Sequence, residues 1–383
     1  MTYNFIKRIF KNLLITLPFI ISTELILGNW LSKPNVASLP SAIFSEEINF
    51  KLTEKWLDYQ PRILIKYTRD KLGYRGWNSE NNYFKNPKKF ILVIGDSTTD
   101  QRYESDKFTW TERMEKVLHK KGLNDIDVIN AGIDGHTTYG YLKAIQNWHS
   151  QDLNEIKPFI ESIIFTIGIQ ETKYFIKQEN GQYRKISDSE QKLSKKIKNI
   201  LRTNSFFYKI LRNIKKDYII KNKLKLYLVN NKRLRSWKFD DYYQETNYEI
   251  NLNANQVENY NNHFRKLLLT TKSFFPESKI IINQQYMPAC DFSSNKYIIQ
   301  RIPQDLKRIY TNDFCKIMKK IFENQEKLIL NLNKIKQKNI YIYKMYLKEK
   351  ISDNGYYDFA HPVGIGSEEI GSAFANYYFN LNK

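Results

Sequence analysis

The sequence predicts an α/β protein in which a parallel sheet carries helices on both faces. Five short apolar segments recur between residues 90 and 345, and segments with apolar residues at helical spacing separate them. The first segment, residues 90–94, is apolar at every position, which is typical of a strand buried on both faces. Strands that alternate with helices along a chain favour a parallel sheet.

The predicted elements follow one another in a regular order. The strands are predicted at residues 90–94, 127–132, 162–168, 278–285 and 339–345, and a glycine follows or ends each of the first three. The helices are predicted at residues 110–121, 137–149, 255–274 and 305–335, with a last helix after residue 361.

Gly95, Asp96 and Ser97 directly follow the first predicted strand. Open α/β sheets keep their ligand crevices at the carboxyl ends of strands, so Ser97 stands where a nucleophile could act. A serine at a helix start can also serve as the N-cap. From this segment alone, the nucleophile and the helix cap are equally compatible interpretations of Ser97.

The composition limits the classes of protein that the chain can belong to. The 383 residues include 61 Lys and Arg against 40 Asp and Glu, a formal net charge of +21 that favours an anionic partner. The two cysteines, Cys290 and Cys315, define neither a disulfide framework nor a metal site. The sequence contains no CxxC pair, HExxH motif or Walker loop. We therefore expect an enzyme without a metal or a cofactor.

Residues 1–31 are predicted to be a membrane segment. Lys7, Arg8 and Lys11 precede an apolar stretch, and residues 12–27 would span about 24 Å as a helix against a hydrocarbon core of roughly 30 Å. Basic residues on the N-terminal side predict a cytoplasmic N-terminus and an exported remainder. We favour an uncleaved, single-pass anchor in the cell membrane, with a cleaved signal peptide or a soluble amphipathic helix as alternatives.

Residues 32–88 are interpreted as a stalk and lead-in, and residues 89–383 as the main domain, interrupted at about 177–250 by a basic insertion. Within this insertion, residues 184–238 carry 18 Lys and Arg but only three acidic residues, which gives a net charge of +15. Apolar residues at helical spacing predict basic amphipathic helices there. Such helices could cap the active site, dock to anionic lipid or clamp an acidic polysaccharide. Export argues against nucleic acid as the partner.

A nucleophilic serine needs a general base, and histidine is the first candidate. Of the five histidines, three are predicted to face solvent: His119, His149 and His263. His136 follows the second predicted strand and could line the site, as could Asp96 beside Ser97.

His361 stands apart because Asp358 precedes it by three residues in "YYDFAHPVGIGSEEIGSAFA", residues 356–375. This spacing can aim a carboxylate at His361 Nδ1 while Nε2 faces the serine, as a catalytic triad requires. The alternative interpretation is an incidental acid beside an exposed histidine.

These motifs occur in the order found in one family. A GDS sequence after the first strand, a glycine after the second, a glycine-initiated motif after the third and DxxH before the last helix together resemble the SGNH (GDSL-type) esterase and acetyl-hydrolase superfamily. The resemblance covers about residues 90–175 and 255–383. It implies a three-layer α/β/α sandwich of the flavodoxin-like type.

The resemblance also implies roles for individual residues. Ser97 is expected to be the nucleophile, and Asp358 and His361 to complete the triad. The main-chain N–H groups of Ser97 and Gly132 are expected to form the oxyanion hole.

The third motif departs from the family pattern. The family has G-x-N-D, whose Asn side chain is the third oxyanion donor, whereas residues 168–171 read GIQE. Gln170 keeps the carboxamide but is one methylene longer, and an error of about 1 Å in reach weakens such a site.

The sequence therefore predicts an exported, membrane-anchored serine hydrolase that cleaves an O-acyl ester, most simply an O-acetyl ester, on a glycan or a lipid. One alternative is an O-acetyltransferase that passes the acyl group to a surface polysaccharide. Another is a protein without catalytic activity that binds an acidic glycan.

Overall fold

The structure of the chain is a computed structural model. It describes these residues: 16–27, 48–51, 64–70, 72–76, 89–102, 104–174, 197, 201, 205–208, 210–211, 242–243, 254–287, 290, 298–299, 313–334, 339–349, 351–352, 355–356 and 360–383.

The strands of the described chain form one central sheet and two small ones. They are β1 (Ile48–Lys51), β2 (Leu64–Tyr67), β3 (Lys89–Ile94), β4 (Ile126–Asn130), β5 (Ile160–Ile167), β6 (Tyr242–Tyr243), β7 (Lys279–Gln284), β8 (Ile298–Ile299) and β9 (Ile340–Tyr343). The central sheet has the order β4-β3-β5-β7-β9, and all its neighbouring strands are parallel. The five predicted strands are confirmed. β1 pairs with β2 and β6 with β8, both antiparallel.

The helices of the described chain lie mainly between the strands of the central sheet. They are α1 (residues 16–27), α2 (Ser97–Asp100), α3 (Trp110–Lys120), α4 (Thr138–Ala144), α5 (Ser150–Asp152), α6 (Ala254–Phe274), α7 (Asp313–Lys334), α8 (Met345–Lys348) and α9 (Ile365–Leu381). A π-helical turn, Ile145–His149, joins α4 to α5, and shorter 3₁₀ turns complete the loops. Residues 305–312, the predicted start of α7, lie outside the described residues.

The continuous apolar run of β3 is explained by the two cores on either side of the sheet. Phe90, Leu92 and Ile94 pack into the core that α4, α6 and α7 cover. Ile91 and Val93 pack into the core beneath α3 and α9. Because both faces of β3 are buried from Phe90 to Ile94, none of these five positions tolerates a polar residue at low cost. The predicted α/β sandwich is thereby confirmed.

The strand order also explains where a site can form. The chain passes from β3 to β4 on one side and then to β5 on the other, so the order of the strands reverses at β3. Ligand crevices in open α/β sheets lie at such a point, at the carboxyl ends of the strands. Ser97 follows β3 there, and Gly132 and Gln170 follow the neighbouring strands.

Part of the segment interpreted as a lead-in packs against the catalytic domain. The Arg75 N–H donates to the Asn130 carbonyl at 2.9 Å, which adds a short antiparallel bridge at the end of β4. The Tyr74 ring is fully buried and stacks on Trp148 with 4.9 Å between ring centroids. Tyr74 and Arg75 therefore belong to the packed body of the domain at the carboxyl end of β4.

The two cysteines form a disulfide bond, which the sequence analysis did not predict. Cys290 follows β7 and Cys315 lies in α7, and their Cα atoms are 5.5 Å apart. Both residues are buried in the larger core. Two cysteines 25 residues apart carry no pattern that reveals pairing, which depends on the packing of α7 beside β7.

The predicted N-terminal membrane segment is only partly described. Within the described part of the chain, which includes α1, no helix combines the length and apolar character needed to cross a bilayer. Residues 1–15 and 28–31 of that segment lie outside the described residues, as do most residues of the basic insertion.

Candidate active site

Ser97 is the first residue of α2, and the helix cap is its neighbour Asp96. Asp96 Oδ1 accepts hydrogen bonds from the Thr98 N–H at 2.9 Å and from the Thr98 hydroxyl at 2.7 Å. The interpretation of Ser97 as the helix cap is therefore wrong, because Asp96 makes that contact. The Ser97 hydroxyl remains available for chemistry at the carboxyl end of β3.

The structure brings Ser97 and His361 together. Ser97 Oγ lies 2.7 Å from His361 Nε2, although 264 residues separate them in the sequence. At this distance a hydroxyl can donate its proton to an unprotonated imidazole nitrogen. A half-buried serine paired with a histidine in this way has the geometry that a nucleophile and its general base require.

The loop that carries His361 is held by residues that follow the nucleophile. The Gln101 side chain donates to the Pro362 carbonyl at 3.0 Å and to Ser367 Oγ at 2.7 Å. Glu104 Oε2 accepts from the Gly364 N–H at 2.7 Å. The sequence analysis missed both residues, because a Gln and a Glu in a polar stretch carry no local signal for a contact 260 residues away.

Asp358, the predicted third member of the triad, lies outside the described residues, and its role stays a prediction. The loop around it is anchored on both sides by described contacts. The Val363 N–H donates to the Gly355 carbonyl at 2.8 Å, and Tyr356 pairs with Pro362 in an antiparallel bridge.

Gly132 is a glycine because the nucleophile helix leaves no room for a side chain. A Cβ atom added at Gly132 would lie 2.4 Å from the Asp100 nitrogen, which is far inside van der Waals contact. The Gly132 N–H donates to Asn130 Oδ1 at 2.9 Å. A role as oxyanion donor therefore requires this N–H to be shared with, or released from, Asn130.

Gln170 is the second residue of a 3₁₀ helix, Ile169–Tyr174, that follows the carboxyl end of β5. Its side-chain oxygen is buried and has no hydrogen-bond partner among the described residues. This oxygen can only accept a hydrogen bond, so a donor to an oxyanion would have to be the side-chain NH₂ group. The contribution of Gln170 to the oxyanion hole stays a prediction.

Glu171 ties the loop after β5 to the loop after β4. Its carboxylate accepts from the Thr138 N–H at 2.7 Å and from the Thr138 hydroxyl at 2.9 Å. Burial raises the pKa of Glu171 to about 7, and the hydrogen bonds from Thr138 oppose that rise. The departure from the family pattern at this residue therefore has a structural role: Glu171 holds the start of α4.

Two further groups near the site have shifted pKa values. Burial raises the pKa of the Asp96 carboxyl, and the nearby His361 opposes the rise. Burial lowers the pKa of His136 to about 4, and the positive charge of Arg69 lowers it further. His136 is therefore neutral at pH 7, and its ring lies against Gly140 in α4.

The predictions for two other histidines need correction. His149 is completely buried, with Nδ1 3.0 Å from the Tyr74 hydroxyl, and is not solvent-facing as predicted. Its pKa is lowered to about 3, mainly by burial. His263 is partly buried and stacks on Tyr139, whereas the sequence suggested an exposed position.

Within the described residues, one group of side chains has the composition of a metal site. Possible ligand atoms of Glu115, His119 and Asp127 lie within 4.8 Å of one another. Two of these residues already have partners in the protein: His119 Nε2 is 2.7 Å from the Ile126 carbonyl, and Glu115 accepts from the Val128 N–H. The group lies at the start of β4, away from the Ser97 end of the sheet.

A comparison with solved structures matches the chain to proteins from several bacteria. A family 3 carbohydrate esterase from Clostridium thermocellum is 14% identical and has a TM-score of 0.37, over 77% of this chain and 96% of that one. A lipase/acylhydrolase from Enterococcus faecalis is 12% identical, with a TM-score of 0.37 over 76% and 96%. A psychrotrophic esterase from Pseudoalteromonas sp. is 12% identical, with a TM-score of 0.37 over 77% and 100%. No curated protein matches the chain by sequence.

The family assignment rests on a match over more than half of the chain. Residues 91–295 match the family described as GDSL-like Lipase/Acylhydrolase. The matched region begins in β3, and it contains Ser97, Gly132 and Gln170. The chain belongs to the GDSL-like lipase/acylhydrolase family, and it is a serine ester hydrolase.

Proposed function

We propose that the chain is an exported, membrane-anchored serine hydrolase that removes an O-acyl group, and specifically an O-acetyl group, from a glycan or a lipid. The observation that best supports hydrolytic activity is the 2.7 Å distance between Ser97 Oγ and His361 Nε2. In a protein that only binds its ligand, nothing would require these two groups to meet at the carboxyl edge of the sheet.

The chemistry proceeds in two steps. His361 Nε2 takes the proton of Ser97 as Oγ bonds to the acyl carbonyl carbon, and the carbonyl oxygen becomes an oxyanion. His361 then returns the proton to the leaving alcohol, and an acyl-serine remains. A water molecule, deprotonated by His361, attacks the acyl-serine, and the acid is released as Ser97 regains its proton. Asp358 would hold the imidazole ring in the orientation that both steps need.

The oxyanion is expected to bind at the start of α2. The first N–H groups of a helix have no partner within the helix, and Ser97 is the first residue of α2. Gly132 and Gln170 are the other two proposed donors. Removal of one such donor costs about 10²–10³ in rate in other enzymes.

Export is supported by two independent observations. The disulfide between Cys290 and Cys315 is of a kind that persists in oxidising compartments and is rare in the cytosol. Lys7, Arg8 and Lys11 precede the apolar N-terminal stretch, as in segments whose N-terminus stays in the cytoplasm. Both observations favour a catalytic domain on the extracytoplasmic side of the membrane.

Membrane attachment is supported by the surface and the contacts of α1. Its exposed side chains are largely apolar: Leu17, Phe19, Ile20, Ile21, Leu25, Ile26 and Leu27. Glu24, the acid within this stretch, accepts hydrogen bonds from Ser205 Oγ at 2.5 Å and from the Phe206 N–H at 2.9 Å. The Glu24 carboxylate thus accepts hydrogen bonds from residues 205 and 206 of the basic insertion, and we propose that this part of the insertion lies at the membrane surface beside α1.

The proposed substrate class rests on the positive charge of the basic insertion. The net charge of +15 over residues 184–238 attracts an acidic polysaccharide or an anionic lipid, and either can carry O-acyl groups. A basic insertion beside the membrane segment would hold such a substrate at the membrane surface while Ser97 acts on its ester.

The test combines active-site labelling with turnover. We expect the purified full-length chain to be labelled by a fluorophosphonate probe and to hydrolyse a small acetyl ester. Ser97→Ala should lose both the label and more than about 10³-fold of the turnover. Ser273→Ala, at an exposed serine in α6, is the control and should behave as the wild type. Labelling and turnover that persist in Ser97→Ala would refute the proposal.

The acceptor of the acyl group is measured in the same assay. Acetate release is followed with and without an added oligosaccharide. Hydrolysis predicts acetate in both cases, whereas a transferase would produce acetylated oligosaccharide at the expense of acetate.

A further inference from the structure

The guanidinium group of Arg69 is completely buried and makes four hydrogen bonds beneath the active site. Nη2 donates to Asp100 Oδ1 and to the Gly132 carbonyl, each at 2.7 Å. Nη1 donates to the Gly73 carbonyl at 2.6 Å, and Nε donates to the Tyr67 hydroxyl at 2.7 Å. A buried arginine with all three nitrogen atoms engaged has one orientation available to it.

The partners of Arg69 belong to the two elements that flank the reacting carbonyl in the proposed mechanism. Asp100 is the last residue of α2, whose first residue is Ser97. Gly132 lies in the loop after β4 and packs against the backbone of α2 so closely that a Cβ atom would not fit. One guanidinium group therefore joins the nucleophile helix to the loop that supplies the second oxyanion donor.

Tyr67 closes this arrangement into a ring of three side chains. Its hydroxyl donates to Asp100 Oδ1 at 2.9 Å and accepts from Arg69 Nε. The ring leaves Arg69 and Asp100 paired as ions within the protein, with no exposed surface on either side chain. Such a pair is rigid, because any movement would leave a charge without its partner in a medium of low dielectric constant.

We propose that Arg69 is a positioning residue for the oxyanion site, which sets the distance between the Ser97 N–H at the start of α2 and the Gly132 peptide. This inference rests on the proposed function, because the two N–H groups matter together only if an oxyanion forms between them. Asp100 and Tyr67 fix the orientation of Arg69, and the hydrogen bond to the Gly132 carbonyl transmits that orientation to the loop.

The shape of the guanidinium group explains why an arginine is needed. Its planar fork presents donors to several acceptors at fixed angles, whereas a lysine ammonium is a compact charge on a flexible stem. A lysine at residue 69 can neutralise Asp100 but cannot reach Asp100, Gly132, Gly73 and Tyr67 together. Arg69→Lys therefore separates the positioning role from the neutralisation of the buried carboxylate.

The experiment compares steady-state kinetics and binding of a tetrahedral inhibitor in Arg69→Lys and the wild type. We expect kcat for a small acetyl ester to fall about 10- to 100-fold, since a misplacement near 1 Å costs rate of this order, with KM within about twofold. A boronic acid, which becomes tetrahedral and anionic on Ser97, should bind more weakly by the same factor by which kcat/KM falls. A purely structural role would not produce this proportionality.

Two further variants keep the test decisive. Tyr67→Phe retains the aromatic ring and its packing but removes the hydroxyl. We therefore expect a smaller fall in kcat, about 3- to 10-fold, and a loss of inhibitor affinity by the same factor as the loss of kcat/KM. Arg113→Lys alters an ion-paired arginine on α3, bonded to Glu368 at 2.6 Å, and should leave kcat and inhibitor affinity unchanged. If Arg69→Lys does not fold, the kcat and the inhibitor affinity of Tyr67→Phe alone test the inference.

The outcomes for this inference and for the proposed function are distinct. Wild-type protein that neither hydrolyses the ester nor reacts with the fluorophosphonate probe refutes the proposed function, and the inference falls with it. Active wild-type protein with folded Arg69→Lys and Tyr67→Phe at wild-type kcat refutes only the inference. A loss of kcat without any loss of boronic acid affinity refutes it as well.

Discussion

The Gln101 side-chain amide donates to the Pro362 carbonyl at 3.0 Å, which links the residue directly after α2 to the residue that follows His361. Gln101 has a left-handed backbone conformation, with φ 44° and ψ 53°, which costs a residue with a side chain roughly 1–2 kcal/mol. Its side-chain oxygen also accepts from the Trp110 N–H at 2.6 Å. The hydrogen bonds of one amide thus stabilise a strained residue and position the general base.

Replacing Gln101 by Ala is therefore expected to lower kcat about 10-fold with little change in KM, because His361 loses its fixed distance to Ser97. Steady-state hydrolysis of a small acetyl ester measures the change. Gln151→Ala, at an exposed position in α5, is the control. A Gln101→Ala variant with wild-type kcat would show that the loop carrying His361 is held by other contacts.

Replacing Gln170 by Asn is expected to raise kcat or leave it unchanged. The shorter amide restores the residue of the family pattern, and the buried Gln170 oxygen has no described partner to lose. The measurement is ester hydrolysis together with boronic acid affinity. A fall of more than about 10-fold would mean that the loop held by Glu171 has adapted to the longer side chain.

Replacing Glu171 by Gln is expected to change how stability depends on pH. Burial raises the pKa of Glu171 from 4.5 to about 7 in the folded protein. Its contribution to the free energy of unfolding is therefore fully present below about pH 4.5 and is lost as the pH rises through about 7. Gln is neutral throughout, so the Tm of the variant relative to that of the wild type should increase from pH 5 to pH 8.

Thermal unfolding at a series of pH values measures this difference, and comparison at each pH cancels the contributions of the other titrating groups. Glu155→Gln, at an exposed glutamate, is the matched control and should track the wild type. A constant difference in Tm between Glu171→Gln and the wild type would contradict the prediction.

Replacing both cysteines by Ser is expected to lower the free energy of unfolding by about 3 kcal/mol, as for a disulfide that closes a loop of this length. The bond between Cys290 and Cys315 closes a loop of 25 residues. Urea unfolding of the wild type with and without dithiothreitol should show the same loss. Equal unfolding midpoints in the two conditions would mean that the bond contributes no stability.

Binding to membranes by the basic insertion is expected to be electrostatic. Each Lys or Arg near an anionic surface contributes about 1 kcal/mol, within a Debye length of roughly 8 Å at physiological salt. The full-length chain should bind phosphatidylserine vesicles more tightly than phosphatidylcholine vesicles, and the preference should weaken as salt rises. Lys215→Gln with Lys216→Gln should reduce the preference, whereas Lys319→Gln with Lys320→Gln on α7 should not. Preference for an acidic polysaccharide over both vesicle types would assign the insertion to substrate binding.

The central sheet could be predicted from the sequence because its signal is local. Each of the five strands contains a short apolar run, and β3 is buried on both faces from Phe90 to Ile94. Ser97 and His361 could be predicted because short motifs around them are specific when they occur together in one order.

The residues that hold the site in place could not be predicted from the sequence, because their roles depend on contacts between distant parts of the chain. Arg69 reaches Asp100 across 31 residues and Gly132 across 63 residues, and its segment has no helical or strand periodicity. His149 was expected at the surface because it ends a predicted helix, but the Tyr74 ring stacks on it. That Asp96 caps the helix in place of Ser97 could be learned only from the coordinates, since either residue type can accept the same hydrogen bond.

The separation of 264 positions between Ser97 and His361 has a consequence for biosynthesis. Ser97 leaves the ribosome well before His361, so an incomplete chain that ends before His361 contains a serine with no partner to deprotonate it. Until synthesis has passed His361, the polypeptide would be inert toward the esters around it. Hydrolytic activity would begin only when α9 docks beside α3 and delivers His361 to Ser97.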